Sequence, residues 1–281
     1  AVHLDEVLHA WQGLGYYARA RNLHKCAKLI VTEYGGKFPE TEVSLVKLPG
    51  IGSYTAAAIA SIAFDQVATP VDGNVERVMA RLHRISEPLP GAKGVLKKKA
   101  AEFTPSKRCG DYAQAVMDLG ATICTPKKPT CKLCPWSDIC KAYSSGDMEK
   151  YPVRSPKKPK PIRYGTVYFL LNQNGQVLIR RREERGLLGG MMEFPSTEWL
   201  EAGWQKNEAI GNAPVATDWE ILSGAIKHTF THFHLELRVL KGMVGEAKIL
   251  DGVWCEPGKL NCYALPTVMK KVWARATKSL S

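Results

Sequence analysis

Apolar residues recur at helical spacing through the first half of the chain. Leu4, Val7 and Leu8 fall on one face near the N-terminus, and "VDGNVERVMARLHRI" carries a similar apolar stripe. Such spacing is typical of amphipathic helices packed against a core. The pattern predicts an all-α domain over residues 1–146.

The hydrophobic period shortens to two residues in the second half of the chain. "TVYFLLNQNGQVLIRRR" predicts two strands joined at an Asn174-Gly175 turn, and "GAIKHTFTHFHLELRVLKG" alternates in the same way. Alternation places successive side chains on opposite faces of a sheet, and Asn-Gly is a frequent hairpin turn. "LPTVMKKVWARA" predicts a closing helix. We therefore expect an α+β domain over residues 165–281.

A basic, proline-rich segment separates the two patterns. "KYPVRSPKKPKPIR" contains four prolines, six basic residues and no acid. Prolines make such a segment extended and semi-rigid, so residues 147–164 are predicted to be a linker. The positive charge could also contact phosphates, and the sequence leaves both roles open.

The chain has a formal net charge of +12. A strongly basic protein suits a polyanion such as nucleic acid, although the charge could serve solubility alone. The sequence shows neither a long apolar run nor a secretory signal pattern, which predicts a cytoplasmic protein, nucleoid-associated in a bacterium. It opens within an amphipathic helix without an initial Met, so we expect further residues upstream.

Four of the eight cysteines lie close together in the sequence. Their spacing is Cys124-x6-Cys131-x2-Cys134-x5-Cys140. Structural zinc sites usually pair two C-x2-C motifs or mix Cys with His, whereas a single C-x2-C with wider outer gaps favours a [4Fe–4S] cluster. Zinc remains the alternative. Lysines of the same loop are predicted to contact DNA phosphates: Lys127, Lys128 and Lys132.

The segment "LPGIGSYTAAAI" predicts two helices joined by a tight glycine turn. Gly50 and Gly52 permit the turn, and the helix that follows directs backbone N–H groups outward at its N-terminus. Such groups can bind a phosphate without reading base sequence. Many helical hairpins use glycine only to turn, so the motif alone is weak evidence.

Three motifs together resemble those of the helix-hairpin-helix DNA glycosylases that carry an iron–sulfur loop. They are the hairpin, the following "VDGNVERV" and the cysteine spacing, in that order. "WQGLGYYARARNLHKCAK" and "FTHFHL" narrow the resemblance to the MutY-type adenine DNA glycosylases. The resemblance implies a multidomain protein, with an all-α helix-hairpin-helix glycosylase domain carrying the iron–sulfur loop and an α+β Nudix-like C-terminal domain.

The resemblance also implies an enzyme of base excision repair. Its partner would be double-stranded DNA in which adenine is mispaired with 8-oxoguanine or guanine. Its reaction would be hydrolysis of the N-glycosidic bond of that adenine after the base flips out of the duplex. We expect the protein to be a monomer.

Tyr54 occupies a position that separates branches of this superfamily. The endonuclease III branch has a lysine there, whose amine forms a Schiff base with the sugar and supports strand cleavage. A tyrosine cannot form that imine, so the resemblance implies a monofunctional glycosylase. An endonuclease III-like lyase is the alternative.

Asp72 in "PVDGNVERV" is the predicted catalytic carboxylate. A carboxylate beside C1′ stabilises an oxocarbenium-like sugar, and the resemblance favours this role over simple capping of the next helix. Asn74 is expected to hold the carboxylate, and the Tyr54 hydroxyl to lie near the same charge. Glu76 follows, where some relatives carry a basic residue.

The resemblance places the general acid, a glutamate that protonates the leaving adenine, on a helix upstream of this sequence. Glu6 lies in a different motif. We therefore expect the chain as given to be impaired in catalysis. A non-catalytic lesion-binding protein is a further alternative.

Tyr16 in "GLGYYARAR" matches the family's intercalating tyrosine, which enters the base stack beside a flipped nucleotide. A core aromatic is the alternative for Tyr16 and for Tyr17. Arg19 and Arg21 are predicted phosphate contacts, with solvated helix charges as the alternative.

"GLLGGMMEFP" in the C-terminal domain resembles a Nudix strand. The acids of "RREERG" precede it and lack the spacing of a Nudix metal-binding box, so we expect the fold without pyrophosphatase activity. The resemblance implies that Thr231 and His232 recognise 8-oxoguanine. His228, His232 and His234 alternate on one predicted strand face, so a metal site and plain packing are the alternatives.

Overall fold

The computed structural model describes residues 2–156, 158–245 and 251–278. These residues form two compact units, one of residues 25–157 and the other of residues 1–24 together with residues 158–281. Both domains foreseen from the hydrophobic pattern are present. The first 24 residues, however, cluster with the C-terminal domain rather than with the helical one.

Burial explains this grouping of the N-terminal residues. Leu8, Tyr17 and Ala20 lie in the same buried cluster as the apolar face of the C-terminal sheet. Burying one leucine side chain contributes roughly 2 kcal/mol. The hydrophobic stripe correctly indicated a helix here, but it carries no information on which domain that helix packs against.

The helices alternate with short turns. They are α1 (Leu4–Ala10), α2 (Ala18–Tyr34), α3 (Glu42–Leu45), α4 (Ser53–Phe64), α5 (Gly73–His83), α6 (Lys93–Ala101), α7 (Cys109–Asp118), α8 (Lys141–Ser144), α9 (Lys206–Gly211) and α10 (Thr267–Lys278). A π-helical turn, Leu119–Ile123, follows α7 directly. Short 3-10 helices span Cys131–Leu133, Ser137–Ile139, Met148–Lys150 and Pro257–Cys262.

Small residues allow close helix packing in the helical unit. Gly110 of α7 lies against α4, where a Cβ atom at that position would sit 2.7 Å from the Ser61 carbonyl oxygen. Ala56, Ala57 and Ala60 of α4 are buried in the adjoining cluster. This packing holds α4, and with it the glycine turn at its start, in a fixed place within the unit.

The predicted linker is attached to the helical unit along its first half. The Leu89 N–H donates to the Val153 carbonyl at 2.9 Å, and Leu89 forms a β-bridge with Arg154. Residues 147–157 therefore belong to that unit, while residues from 158 onward belong to the C-terminal one. The proline content of the segment could not reveal these contacts, because their partner, Leu89, lies far away in the sequence.

The C-terminal unit contains a mixed sheet. Its strands are β1 (Ile162–Asn172), β2 (Val177–Arg181), β3 (Met192–Glu193), β4 (Glu220–Ile221), β5 (Ile226–Thr229), β6 (His234–Val244) and β7 (Val253–Cys255). The order is β3-β2-β1-β6-β4, with β5 also paired to β6 and β7 to β2.

One parallel pair sets the centre of this sheet. β1 and β6 run parallel along their whole length, from Ile162 opposite His234 to Asn172 opposite Val244, and the other pairings are antiparallel. The Asn174-Gly175 turn joins β1 to β2 as predicted, with Gly175 at φ +71°. The α+β prediction is confirmed. Across the part of the chain that the structure describes, no helix is long and apolar enough to cross a membrane.

Candidate functional site

Asp72 is the N-cap of α5, and its carboxylate is held by three hydrogen bonds. Oδ1 accepts from the backbone N–H groups of Asn74 and Val75, both at 2.8 Å, and Oδ2 accepts from the side-chain amide of Asn74 at 3.1 Å. Capping is therefore real, and it fixes the carboxylate in one orientation. A negative charge at this end of the helix also interacts favourably with the helix dipole.

Arg77 continues this network behind Asn74. Its Nη2 donates to Asn74 Oδ1 at 2.9 Å and to the Gly120 carbonyl at 2.5 Å, while Nε donates to the Cys124 carbonyl at 2.7 Å. The side chain lies within the buried part of α5. This role was not predicted from the sequence, in which Arg77 and Arg81 are indistinguishable from solvated helix charges.

Gly120 lets the π-helical turn approach this network. A Cβ atom at Gly120 would lie 2.6 Å from Asn74 Cβ and 3.1 Å from the Asn74 backbone. Contacts under 3 Å are not tolerated between carbon atoms. Glycine at this position is therefore required for Asn74 and Asp72 to lie where they do.

Tyr54 lies in the first turn of α4, with 41% of its surface exposed. Partial burial raises the pKa of its phenol, and the charge of Asp72 raises that pKa further. The hydroxyl is therefore neutral near pH 7 and within electrostatic reach of the carboxylate. Tyr54 therefore lies within electrostatic range of the carboxylate that Asn74 holds, and a shared catalytic role of the three residues stays a prediction.

The glycine turn before α4 has the geometry of an anion-binding hairpin. Gly50 adopts φ +77°, a conformation that favours glycine, and Gly52 is the N-cap of α4. No side chain caps this helix. Its first N–H groups are thus available to a ligand such as a phosphate.

The four clustered cysteines are partly buried in the loop between α7 and α8. Burial raises the pKa of the Cys131 thiol, and the charges of Cys124, Cys140 and Cys134 add to the effect, so the Cys131 sulfur lies within electrostatic range of the other three. In the described ranges, no three His, Cys, Asp or Glu side chains are grouped so as to hold a metal ion.

Arg81 braces the start of this loop from inside. The side chain is almost fully buried and donates to the Cys124 sulfur at 3.3 Å and to the carbonyls of Thr125 and Pro126 at 2.8 and 3.0 Å. These carbonyl oxygens and the Cys124 sulfur, rather than a carboxylate, accept the hydrogen bonds of its guanidinium. The loop lysines that the sequence singled out lie on the exposed side: Lys127, Lys128 and Lys132.

A cavity of about 430 Å³ opens in the C-terminal unit. Its wall includes Tyr16, Thr231 and His232, and the hydroxyls of Tyr16 and Thr231 lie 3.2 Å apart. Tyr16 is 67% exposed and has φ +48°, an uncommon conformation for a non-glycine residue. Tyr17 is 7% exposed and belongs to the core. The core alternative therefore holds for Tyr17 and not for Tyr16.

The two arginines after these tyrosines differ in position. Arg19 is exposed and its guanidinium lies over the Trp11 ring, 5.7 Å from the centroid. Arg21 is buried and donates to the carbonyls of Gly189 and Gly186 at 2.6 and 3.3 Å. The prediction that Arg21 contacts phosphate is therefore wrong for this arrangement, because its donors already hold the 186–189 loop.

The three alternating histidines do not form a common metal site in the structure. His234 Nδ1 lies 3.0 Å from the Thr229 hydroxyl, and the His228 ring meets Phe230 edge-on at 4.7 Å. Burial, followed by the charge of Lys271, lowers the pKa of His228. His232 is exposed and lines the cavity beside Thr231, whereas His228 lines it half-buried and His234 is exposed away from it.

Two family models match the chain, although the first begins within the residues that cluster with the C-terminal unit. Residues 1–104 match the model of the HhH-GPD superfamily of base excision DNA repair proteins, and residues 166–275 match the NUDIX domain.

Curated relatives align along most of the chain. The adenine DNA glycosylase of Buchnera aphidicola subsp. Schizaphis graminum is 32% identical over 96% of this chain and 79% of the relative. The adenine DNA glycosylase of Rattus norvegicus is 33% identical over 96% of this chain and 63% of the relative. The chain thus spans about three fifths of the length of the rat and human proteins, 63% and 60%.

Proposed function

Because the chain belongs to the adenine DNA glycosylase family, we propose that it hydrolyses the N-glycosidic bond of adenine mispaired with 8-oxoguanine or guanine in duplex DNA. The observation that carries this proposal is the fixed carboxylate of Asp72, which Asn74 holds at 3.1 Å and which lies within electrostatic range of Tyr54. A flipped nucleotide with its C1′ atom at Asp72 would meet a preorganised negative charge.

Asp72 stabilises the sugar while the bond breaks. The C1′–N9 electron pair leaves with adenine, which takes up a proton, and the sugar becomes positively charged. A carboxylate already oriented by three hydrogen bonds needs little reorganisation to stabilise that charge. Water then adds to C1′ and releases a proton, which leaves an abasic site.

Tyr54 takes part as a neutral hydroxyl. Its raised pKa keeps the phenol protonated, so it can donate a hydrogen bond toward the Asp72 charge or the sugar. It has no amine and cannot form a Schiff base. The proposal is therefore a monofunctional glycosylase that leaves the strand intact.

The cavity beside Tyr16 is the proposed site for the base opposite adenine. The Thr231 hydroxyl and the exposed His232 ring supply hydrogen-bonding groups at its rim, and Tyr16 presents an exposed aromatic ring to the base stack. The strained backbone of Tyr16 supports a functional rather than a packing role.

The DNA backbone phosphates would bind to other groups on the surface of this protein. The uncapped start of α4 after Gly50 and Gly52 offers backbone N–H groups, and the exposed loop lysines offer point charges. Arg19 remains a proposed phosphate contact, since its guanidinium is exposed. These contacts position DNA but do not read its sequence.

The four cysteines are proposed to hold a [4Fe–4S] cluster. Their spacing in the sequence, one C-x2-C with wider outer gaps, favours a four-thiolate cluster, and Arg81 donates a hydrogen bond to the Cys124 sulfur. When bound, the cluster would cross-link the loop that carries Lys127, Lys128 and Lys132. This chain's residues bind it through Cys124, Cys131, Cys134 and Cys140.

A single-turnover assay on a panel of duplexes tests the proposed function. Adenine is placed opposite 8-oxoguanine, guanine or thymine, and abasic sites are cleaved with alkali. In keeping with the impaired catalysis expected from the sequence, we expect slow product formation with the first two duplexes, faster with 8-oxoguanine, and none with thymine. Equal product from all three would contradict the proposal.

Two controls in the same assay separate the alternatives. Strand cleavage before alkali, with a covalent DNA adduct trapped by borohydride, would indicate a lyase. A gel shift that is specific for the 8-oxoguanine duplex, without any product, would indicate a lesion-binding protein. The account predicts binding, product only after alkali, and no adduct.

A further inference from the structure

The hairpin between β5 and β6 has two exposed side chains at its tip, flanked by two phenylalanines that point into the protein. Phe230 and Phe233 are partly or fully buried, whereas Thr231 and His232 between them are exposed. The Phe230 N–H donates to the Phe233 carbonyl at 2.9 Å and closes the turn. The position of the Thr231 hydroxyl is thus determined by whatever holds the two phenylalanine rings.

The two rings belong to a continuous column of aromatic and cationic side chains. Trp199 stacks on Phe230 with centroids 5.8 Å apart and an interplanar angle of 27°. Phe230 meets Phe233 at 4.9 Å. The Arg182 guanidinium lies over Trp199 at 5.1 Å, and the Arg163 guanidinium lies over Phe233 at 4.6 Å. Stacking and cation–π contacts of this kind are each stabilising.

Both ends of the column are anchored in the sheet. Arg182, directly after β2, forms an ion pair with Glu193 of β3, whose side chain is almost fully buried and also accepts from Arg180 at 3.0 Å. Arg163 lies near the start of β1, paired in register with Leu235. The column therefore links the hairpin tip to three strands.

Trp199 is the ring on which this link depends. Its ring packs closely against Gly165 of β1, where a Cβ atom would sit 2.6 Å from Trp199 Cδ1. In the part of the chain that the structure describes, its indole N–H has no hydrogen-bond partner. Stacking, rather than hydrogen bonding, thus fixes the ring.

We propose that Trp199 is a positioning residue for lesion recognition, which acts through Phe230 to hold the Thr231 hydroxyl beside Tyr16. This inference rests on the proposed function, because it assumes that the cavity receives 8-oxoguanine. Trp199 does not line the cavity. Its contribution is the orientation of a hydroxyl that it does not touch.

Equilibrium binding to two duplexes tests this role. Trp199→Ala and Trp199→Phe are compared with the unchanged protein on duplexes that hold 8-oxoguanine or guanine opposite adenine, with dissociation constants measured before turnover. We expect Trp199→Ala to lose about tenfold in the preference for 8-oxoguanine, since one stacked pair and one cation–π contact are removed. Trp199→Phe should retain most of the preference, because the stack survives.

Trp219→Ala is the matched control. Trp219 lies in the same unit but packs against a separate apolar cluster, and its ring meets Tyr168 at 5.4 Å with the two planes tilted by 58°. Its loss should lower the melting temperature without changing the preference. Gly165→Ala adds an independent variant, because its new methyl group displaces Trp199 and should mimic Trp199→Ala.

The outcomes separate this inference from the proposed function. If the unchanged protein shows no preference for 8-oxoguanine, the proposed function fails first. If the preference exists and Trp199→Ala keeps it, or loses it no more than Trp219→Ala does, the positioning role is wrong. A thermal melt of each variant identifies any loss caused by unfolding.

Discussion

The side-chain amide of Asn74 donates to Oδ2 of Asp72 at 3.1 Å. The other end of that amide accepts from Arg77, which also binds the carbonyl of Cys124, a proposed cluster ligand. A chain of hydrogen bonds thus connects the cysteine loop to the proposed catalytic carboxylate. Each member is fixed by the next, so the carboxylate orientation depends on residues that would not touch DNA.

Gly120→Ala tests whether close packing behind Asn74 matters. The new methyl group would lie 2.6 Å from Asn74 Cβ, so Asn74 must shift and its hydrogen bond to Asp72 weakens. We expect a loss of about 1–3 kcal/mol in the free energy of unfolding and a larger fractional loss in excision rate. Urea unfolding and single-turnover kinetics measure the two effects.

Gly94→Ala provides the control for this substitution. Gly94 lies in α6 with no atom within 4 Å of its added Cβ, so the change should stabilise the protein by about 0.5–1 kcal/mol. The excision rate should remain unchanged. Equal effects of the two alanines on excision would show that the Gly120 packing is irrelevant to the site.

Tyr54→Phe tests the role of a neutral hydroxyl. Burial and the Asp72 charge both raise the pKa of this phenol above its ordinary value, so it stays protonated at neutral and mildly alkaline pH. Removal of the hydroxyl should slow excision by about tenfold at every pH, without moving either limb of the rate profile. Disappearance of an alkaline limb in Tyr54→Phe would instead mean that the phenol ionises during turnover.

Arg21 and Lys127 should respond differently to substitution. Arg21→Ala removes buried hydrogen bonds to Gly186 and Gly189 and should cost about 2 kcal/mol of unfolding free energy. Lys127→Ala should leave stability unchanged and reduce the slope of log K against log salt by about one. The salt dependence is measured by gel shift or anisotropy. A reduced salt slope for Arg21→Ala would show that Arg21 contacts a phosphate despite its burial.

Thr231→Val tests the lesion-binding hydroxyl directly. Valine keeps the shape and loses the hydrogen bond, so the preference for 8-oxoguanine over guanine should fall by about tenfold. Thr231→Ser should keep it. Titration of both duplexes measures the ratio, and an unchanged ratio for Thr231→Val would place recognition on other groups of the cavity.

Local signals in the sequence were sufficient for several elements. The apolar stripe and Asp72 correctly indicated the start of α5, since an Asx residue before a helical stripe is a cap. Asn174-Gly175 correctly indicated the hairpin, because its backbone preference is independent of distant residues. The motifs also predict that Tyr54, Asp72 and Asn74 share one site, and their joint catalytic role stays a prediction.

Contacts between distant residues were beyond these signals. Arg21 binds Gly189, which is far away in the sequence. The parallel pairing of β1 with β6 likewise joins distant segments, with Ile162 opposite His234. The residues that surround each of these positions in the sequence carry no information on which distant residue it will contact. Charge alone therefore suggested a phosphate for Arg21, where the structure supplies backbone carbonyls.

Asp72→Asn in a single-turnover assay tests the central claim most directly. Asparagine still caps α5, so folding and binding of the duplex with adenine opposite 8-oxoguanine should be preserved. The account predicts that the unchanged protein releases adenine and that Asp72→Asn does so at least about 100-fold more slowly, with a similar dissociation constant. Equal rates of adenine release from the two proteins would contradict it.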